Sequence, residues 1–177
     1  MPQGASARRY AEAAFELAKK NNALERWLSD LKVAAGILAD PKLLRTLENP
    51  KLPKSRKRAQ VDAAFTTTID PMVKNLIYLL VDRERIGVIE GIRDAFIELY
   101  NKDQGIVVAE VTTAIALNEA QQKKVEAQLQ QVTGAKRIDL RVHTDPRIIG
   151  GLIARVGDML YDGSVRTRLS DLQERLS

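Results

Sequence analysis

Cysteine is absent from the 177 residues, which excludes disulfides and thiolate metal sites and suits a reducing compartment. Histidine occurs once, at position 143, so His143 is the only candidate for an imidazole base. Nothing in its alternating strand supplies the carboxylate and pocket such a base needs, and a solvated strand residue is the plainer reading. No apolar run approaches the roughly 18 residues that a membrane-crossing helix requires. The opening Met-Pro-Gln-Gly-Ala-Ser-Ala-Arg-Arg-Tyr lacks the apolar stretch of a secretory signal and is too short before the first helix for a transit peptide. Neither a Gly-x-x-x-x-Gly-Lys-Ser/Thr phosphate loop nor Gly-x-Gly-x-x-Gly occurs. Charge of one sign is also missing. The net charge is +5, with 18 basic against 14 acidic residues up to Asp103 and 10 against 9 from Gln104 onward. That is a mild bias and no polybasic tail.

With 45% of its residues hydrophobic, the chain is long enough to bury one core or two small ones. Up to about residue 104 it reads as helices cut by Pro and Asn. Ser6 is placed to cap a first helix running to about Lys20. That helix has two apolar stripes, Ala7-Ala11-Phe15-Ala18 and Tyr10-Ala13-Ala14-Leu17, where packing in a bundle needs one. Two readings of the second stripe follow. Either the helix is central in its own domain, or the Ala-rich face receives a helix from another protein.

Leu24, Trp27, Leu28, Leu31, Ala35 and Leu38 define a second helix. Asp40-Pro41 opens a third with Leu43, Leu44 and Leu47, and a fourth runs from about Ser55 to Phe65. Asp70-Pro71 opens a fifth, in which Val73, Leu76, Ile77 and Leu80 face the core and Met72, Asn75 and Leu79 lie beside them. A sixth begins near Gly87 and stops ahead of Gly105.

The period then changes from 3.6 to 2. Val107, Ala109, Val111, Thr113 and Ile115 predict a long strand, Asn118 and Gln121 a capping box on a helix ending at Gly134, and Ile138, Leu140 and Val142 another strand. Leu152 to Val156 and Met159 to Tyr161 are two strands around Gly157-Asp158, a two-residue hairpin that exploits the positive φ open to glycine. Asp162 or Ser164 can cap a last helix striped by Val165, Leu169, Leu172 and Leu176. The order is β-α-β-β-β-α. The fold class is therefore α+β: a six-helix bundle over 1–104, then a small α+β domain over 105–177 with strands, a β-hairpin and two helices.

Residues of the types that carry chemistry do not converge. Gly150-Gly151 precedes a strand, so a bulge or tight backbone approach explains it better than an anion cradle. Asp139, Asp145, Asp158 and Asp162 are scattered through turns and strand edges, with no spacing that gathers metal ligands. Catalytic, cofactor and metal sites are all expected to be absent. The densest basic run, Lys54, Arg56, Lys57 and Arg58, lies at a helix start, where positive charge opposes the helix dipole. It supports an alternative reading as a basic RNA- or DNA-binding adaptor. Aromatics make up only 5% of the chain, and no stacking residue adjoins the run.

Two stretches carry a family resemblance. Gly150-Gly151-Leu-Ile-Ala-Arg-Val-Gly-Asp-Met-Leu-Tyr-Asp-Gly-Ser-Val-Arg-Thr-Arg-Leu169 closely resembles the C-terminal signature of the delta subunit of bacterial F-type ATP synthases, relatives of the mitochondrial oligomycin-sensitivity-conferring protein. Ala7-Arg8-Arg9-Tyr10-Ala11-Glu12-Ala13-Ala14-Phe15 resembles the opening Ala-x-x-Tyr-Ala-x-Ala-Ala-Phe of the same family. The two matches bracket nearly the whole chain, while residues 40 to 70 are generic.

The resemblance implies a non-catalytic stator, or peripheral stalk, subunit of the proton-translocating synthase that links the catalytic head to the membrane-anchored b subunits and resists torque. It implies that residues 1–104 hold the N-terminal helix of an alpha subunit. Tyr10, Ala13, Ala14 and Leu17 of the first helix would then face Asn75 and Leu79 of the fifth across a groove. Residues 105–177 would grip the C-terminal end of the b stalk. No nucleic acid and no small-molecule substrate is implied. The place expected is the cytoplasmic face of a bacterial membrane.

Overall fold

Aspartate-proline pairs set two of the helix starts. The Asp40 and Asp70 carboxylates each accept a backbone N–H two residues on, from Lys42 and Met72 at 2.8 Å. Pro41 and Pro71 fill first-turn positions whose N–H would have had no partner. The computed structural model describes residues 2–65 and 69–165. Six α-helices occupy the chain up to Gln104: α1 (Pro2–Lys20), α2 (Leu24–Leu38), α3 (Pro41–Glu48), α4 (Lys54–Ala64), α5 (Pro71–Asp82) and α6 (Ile89–Gln104). The expected start of the sixth near Gly87 is instead a short 3-10 turn, Ile86–Val88, leading into α6.

The expectation that Ser6 caps the first helix is not met. Because α1 begins at Pro2, Ser6 lies inside it and is buried, and its hydroxyl accepts a hydrogen bond from the Arg85 guanidinium beyond α5. Burial without that donor would leave a hydroxyl oxygen desolvated.

One apolar core joins all six helices, with Ala7, Ala11, Phe15 and Ala18 of α1 against Trp27, Leu31 and Leu38 of α2, Val73, Ile77 and Leu80 of α5, and Ile92 and Phe96 of α6. Phe96 sits at its centre. It meets Phe15 edge-on at 5.6 Å and stacks on Trp27 at 6.3 Å, geometries that suit the ring quadrupoles. Small residues let α1 and α6 cross closely: a Cβ on Gly91 would come within 3.0 Å of the Ala7 methyl.

The chain divides into two compact units between Tyr100 and Asn101. In the second, a four-stranded sheet has the order β2-β1-β3-β4, with β1 Ile106–Thr113, β2 Arg137–Thr144, β3 Leu152–Val156 and β4 Met159–Asp162. β1 pairs parallel to β2 through the crossover helix α7 (Glu119–Thr133) and antiparallel to β3. Ala109, Val111, Val125, Leu129, Ile138, Ala154 and Val156 form a core separate from the first. The Asn118–Gln121 capping box is present, with reciprocal bonds of 2.9 Å, and Gly134 ends α7 with φ +69.

The expected inclusion of Ile115 in β1 is corrected. The strand ends at Thr113, opposite the last residue of β2 and the first of β3. Beyond that point no neighbour offers a ladder, and the Thr113 hydroxyl donates to the Ile115 carbonyl at 2.7 Å. Ile115 is 69% exposed.

The hairpin pairs Val156 with Met159 around Gly157-Asp158, and Gly157 has φ +58. The Asp162 carboxylate accepts the Ser164 N–H at 2.8 Å. The expected stripe of Leu169, Leu172 and Leu176 lies outside the described residues.

Two cores made of different residues lead to a prediction. A fragment ending at Gln104 is expected to be soluble and helical by circular dichroism. An unfolded fragment would mean that the first core depends on the second.

Candidate partner-binding site

The second stripe of α1 does not end in a helix of its own unit. α1 and α5 each pack on α2, and the C-terminal end of α1 meets the start of α5, where the Asn21 amide donates to the Met72 sulfur at 3.7 Å. Between them runs an open groove of about 330 Å³. The six residues named for it from sequence, Tyr10, Ala13, Ala14 and Leu17 on α1 with Asn75 and Leu79 on α5, all line it. Their exposures differ in a way that decides their roles. Ala14 is only 4% exposed, whereas Leu17 and Leu79 keep 42% and 43% of their surface open on opposite walls. Ala14 is thus core and groove floor at once, while Leu17 and Leu79, with Met72 at 39%, form the exposed apolar surface of the groove.

Three further lining residues, Trp27, Met72 and Leu76, were not assigned to the groove from sequence. Met72, Asn75, Leu76 and Leu79 recur at i, i+3, i+4 and i+7, a stripe whose spacing could have flagged the wall. Trp27 had no such signal, because its place in the α2 core stripe describes its burial correctly and hides that its ring also forms the groove floor.

The basic run at the start of α4 is not one surface. Lys57 is 2% exposed. Arg58 pairs with Asp82 of α5, donating from Nε at 3.3 Å, and lies 5.4 Å over the Tyr78 ring. Lys74 is ion-paired with Asp62, which also accepts from the Tyr78 hydroxyl. The Lys74 bond holds the Asp62 carboxyl below the usual carboxylate range, and the Arg58 bond does the same for Asp82. These charges tie α4 to α5. The stacking partner missing beside the run in sequence is supplied by Tyr78, which belongs to the other helix.

In the second unit, the scattered aspartates stay scattered. His143 is exposed on β2, and no group of three or more His, Asp or Glu among the described residues is placed to hold a metal ion. Asp145 does local work. Its carboxylate accepts the Arg147 backbone N–H at 3.0 Å and the guanidinium at 2.7 Å, and these bonds pull its pKa down to about 2. A depressed carboxylate stabilises the fold above the unfolded value of 3.8 and loses that contribution as pH falls through about 2. Carboxyl NMR is expected to find the Asp145 midpoint near 2, moving up toward the ordinary value in Arg147→Gln.

Gly151 explains the diglycine. Its φ is +79, and a Cβ there would fall 2.3 Å from the Gly163 carbonyl oxygen. The Gly163 N–H donates to Leu152 O and the Val165 N–H to Gly150 O, each at 2.9 Å. The expected tight backbone approach is what is found, and the pair cradles the protein's own chain.

No described helix is long and apolar enough to cross a membrane. Comparison with known proteins covers almost the full length. The chain is 39% identical over 173 residues to an ATP synthase subunit delta of Dehalococcoides mccartyi, covering 98% of this chain and 94% of that one. It is 37% identical over 177 residues to that of Desulforamulus reducens, covering 99% and 97%. Among solved structures, it resembles a chain in the cryo-EM structure of the Toxoplasma gondii mitochondrial ATP synthase hexamer, at 28% identity, 96% coverage of both chains and a TM-score of 0.68. The family described as ATP synthase delta (OSCP) subunit matches residues 7–176, a span that takes in both the groove-lining stripe of α1 and the diglycine hairpin. With the family model matching residues 7–176 and relatives up to 39% identical aligned over almost the full length, the chain belongs to the ATP synthase delta (OSCP) subunit family.

Proposed function

We propose that this protein is a non-catalytic stator subunit of a proton-translocating F-type ATP synthase, working as an adaptor between the catalytic head and the membrane-anchored stalk at the cytoplasmic face of the membrane. Its first six helices act as a six-helix bundle whose α1–α5 groove receives the N-terminal helix of an alpha subunit. Its C-terminal domain, residues 105–177, holds the C-terminal end of the b subunits.

The observation that carries the reading is the groove itself. It presents two large apolar side chains, Leu17 and Leu79, on facing walls over a floor of Ala14 and Trp27. An amphipathic helix laid there buries an apolar stripe at i, i+3/4 and i+7 against them. The Ala residues of α1 permit close approach of its backbone.

The task is mechanical. The rotor's torque must turn the catalytic subunits relative to the shaft, and an adaptor that dissociated or bent freely would let the head turn with it. Packed aromatic and aliphatic contacts that lower the off-rate suit this work. The helix-to-helix ion pairs between α4 and α5 stiffen the same unit.

The test is calorimetric titration of the full chain with a peptide of the alpha N-terminal helix, and, separately, with the soluble part of b. Saturable one-to-one binding of both is expected, with the fragment ending at Gln104 retaining the first and losing the second. Failure of the alpha peptide to bind the full chain would overturn the assignment of the groove.

A further inference from the structure

The chain has three methionines and no cysteine. Thioethers are therefore its only sulfur, with no thiol to compete for a peroxide. Met1 lies outside the described residues, and Met159 is on β4 of the second unit, 52% exposed. Met72 is the one in the groove. It lines the α5 wall with 39% of its surface open. Its main chain is held in place, because its N–H donates to the Asp70 carboxylate at 2.8 Å. Its sulfur already has a donor. The Asn21 amide, just past the end of α1, donates to the Leu17 carbonyl at 2.8 Å and to the Met72 sulfur at 3.7 Å. A thioether is a weak acceptor, so the second bond contributes little as the residue stands. A sulfoxide oxygen in the same place would be a polar group beside a ready donor.

Resting on the groove being the receptor for the alpha helix, we propose that Met72 is an oxidative modification site that governs whether the groove can be filled. The co-reactant is a hydroperoxide, of which hydrogen peroxide is the simplest. The sulfur lone pair attacks one peroxide oxygen, an S–O bond forms and the O–O bond breaks. The proton on the transferred oxygen passes to the departing hydroxide, which leaves as water. Sulfur is oxidised by two electrons and the peroxide is reduced by two. The product sets a polar oxygen on the wall that carries Leu76 and Leu79. In the free protein, water and Asn21 satisfy that oxygen. Under the apolar stripe of an occupant the water is lost, and the one Asn21 amide, already bonded to Leu17, does not replace it. The same burial sets the timing. An occupant that covers Met72 takes the sulfur out of reach, so the modification acts on the subunit before assembly.

The experiment treats the full chain with hydrogen peroxide, removes the oxidant, and locates the added oxygen by mass spectrometry of proteolytic fragments. The alpha N-terminal peptide is then titrated by calorimetry into treated and untreated wild type, Met72→Leu and Met159→Leu, with circular dichroism melts alongside. Oxidation is expected to weaken binding about tenfold in wild type and in Met159→Leu. Met72→Leu is expected to keep, after treatment, whatever affinity it had before. A methionine sulfoxide reductase should restore the treated wild type. Saturating peptide present during treatment should protect Met72 and leave Met159 as reactive as before. Wild type that carries the oxygen on Met72 and still binds normally overturns the inference. So does an equal loss in Met72→Leu, or a melt showing that oxidation unfolds the helices; in each case binding by the untreated protein leaves the groove in place. No binding of the peptide to untreated wild type overturns the groove assignment and the inference together.

Discussion

Leu17→Asp and Leu79→Asp are each expected to weaken binding of the alpha N-terminal helix by about 30- to 1,000-fold, equivalent to about 2–4 kcal/mol, and together to remove it. Both side chains are more than two-fifths exposed, so in the free protein a carboxylate at either position stays in water and the fold is kept. Only when the occupant covers it does the charge lose its solvent without gaining a partner. Ala14→Asp is the instructive contrast. Its side chain is almost wholly buried, so the carboxylate is desolvated with or without an occupant, and the loss appears first in thermal stability. A calorimetric titration paired with a melting curve separates the two. Normal binding by the leucine variants would move the receptor surface elsewhere on the chain.

Gly151→Ala is expected to unfold the C-terminal sheet or lower its stability by about 4 kcal/mol, a value large for a single methyl group. Two costs coincide. The backbone at φ +79 disfavours a Cβ, and the atom would overlap the Gly163 carbonyl at 2.3 Å, where backbone and not a flexible side chain must give way. Gly157→Ala makes the comparison clean. Its φ is +58 with nothing within 4 Å of the added atom, so only the local strain of about 1 kcal/mol remains. Chemical denaturation of the full chain, followed by the exchange of β1 and β3 amides, reads both. Equal losses in the two variants would show that the close approach to Gly163 carries no weight.

Much of this was legible in the residues because local rules and the fold agree. Asp40-Pro41 and Asp70-Pro71 specify helix starts by side-chain and ring chemistry alone, and the alternation from Val107 to Thr113 needs a sheet. What escaped are features created by juxtaposition. Ser6 has every property of a cap, yet its hydroxyl serves Arg85, 79 residues away. Lys57 and Arg58 look like neighbours on one basic surface, but successive helical residues point about 100° apart. One is buried and the other reaches Asp82. The groove fell between these cases. Its two stripes could be seen on α1 and α5 separately, whereas the Trp27 floor depends on how α2 passes beneath them.

The central position of β1 has a consequence for synthesis. Contacts of the first hundred residues can form as each helix emerges. β1 leaves the ribosome with neither neighbour available, since its parallel partner follows some 30 residues later and the antiparallel partner of Ala109 to Thr113 later still. A nascent chain therefore carries a β-branched segment with two open edges until β2 is made, and with one until β3 is made. Such segments are where chains stick to one another. Of the two halves, the C-terminal one is the half whose yield should fall when translation stalls late, and the one that a ribosome-bound chaperone has reason to shield.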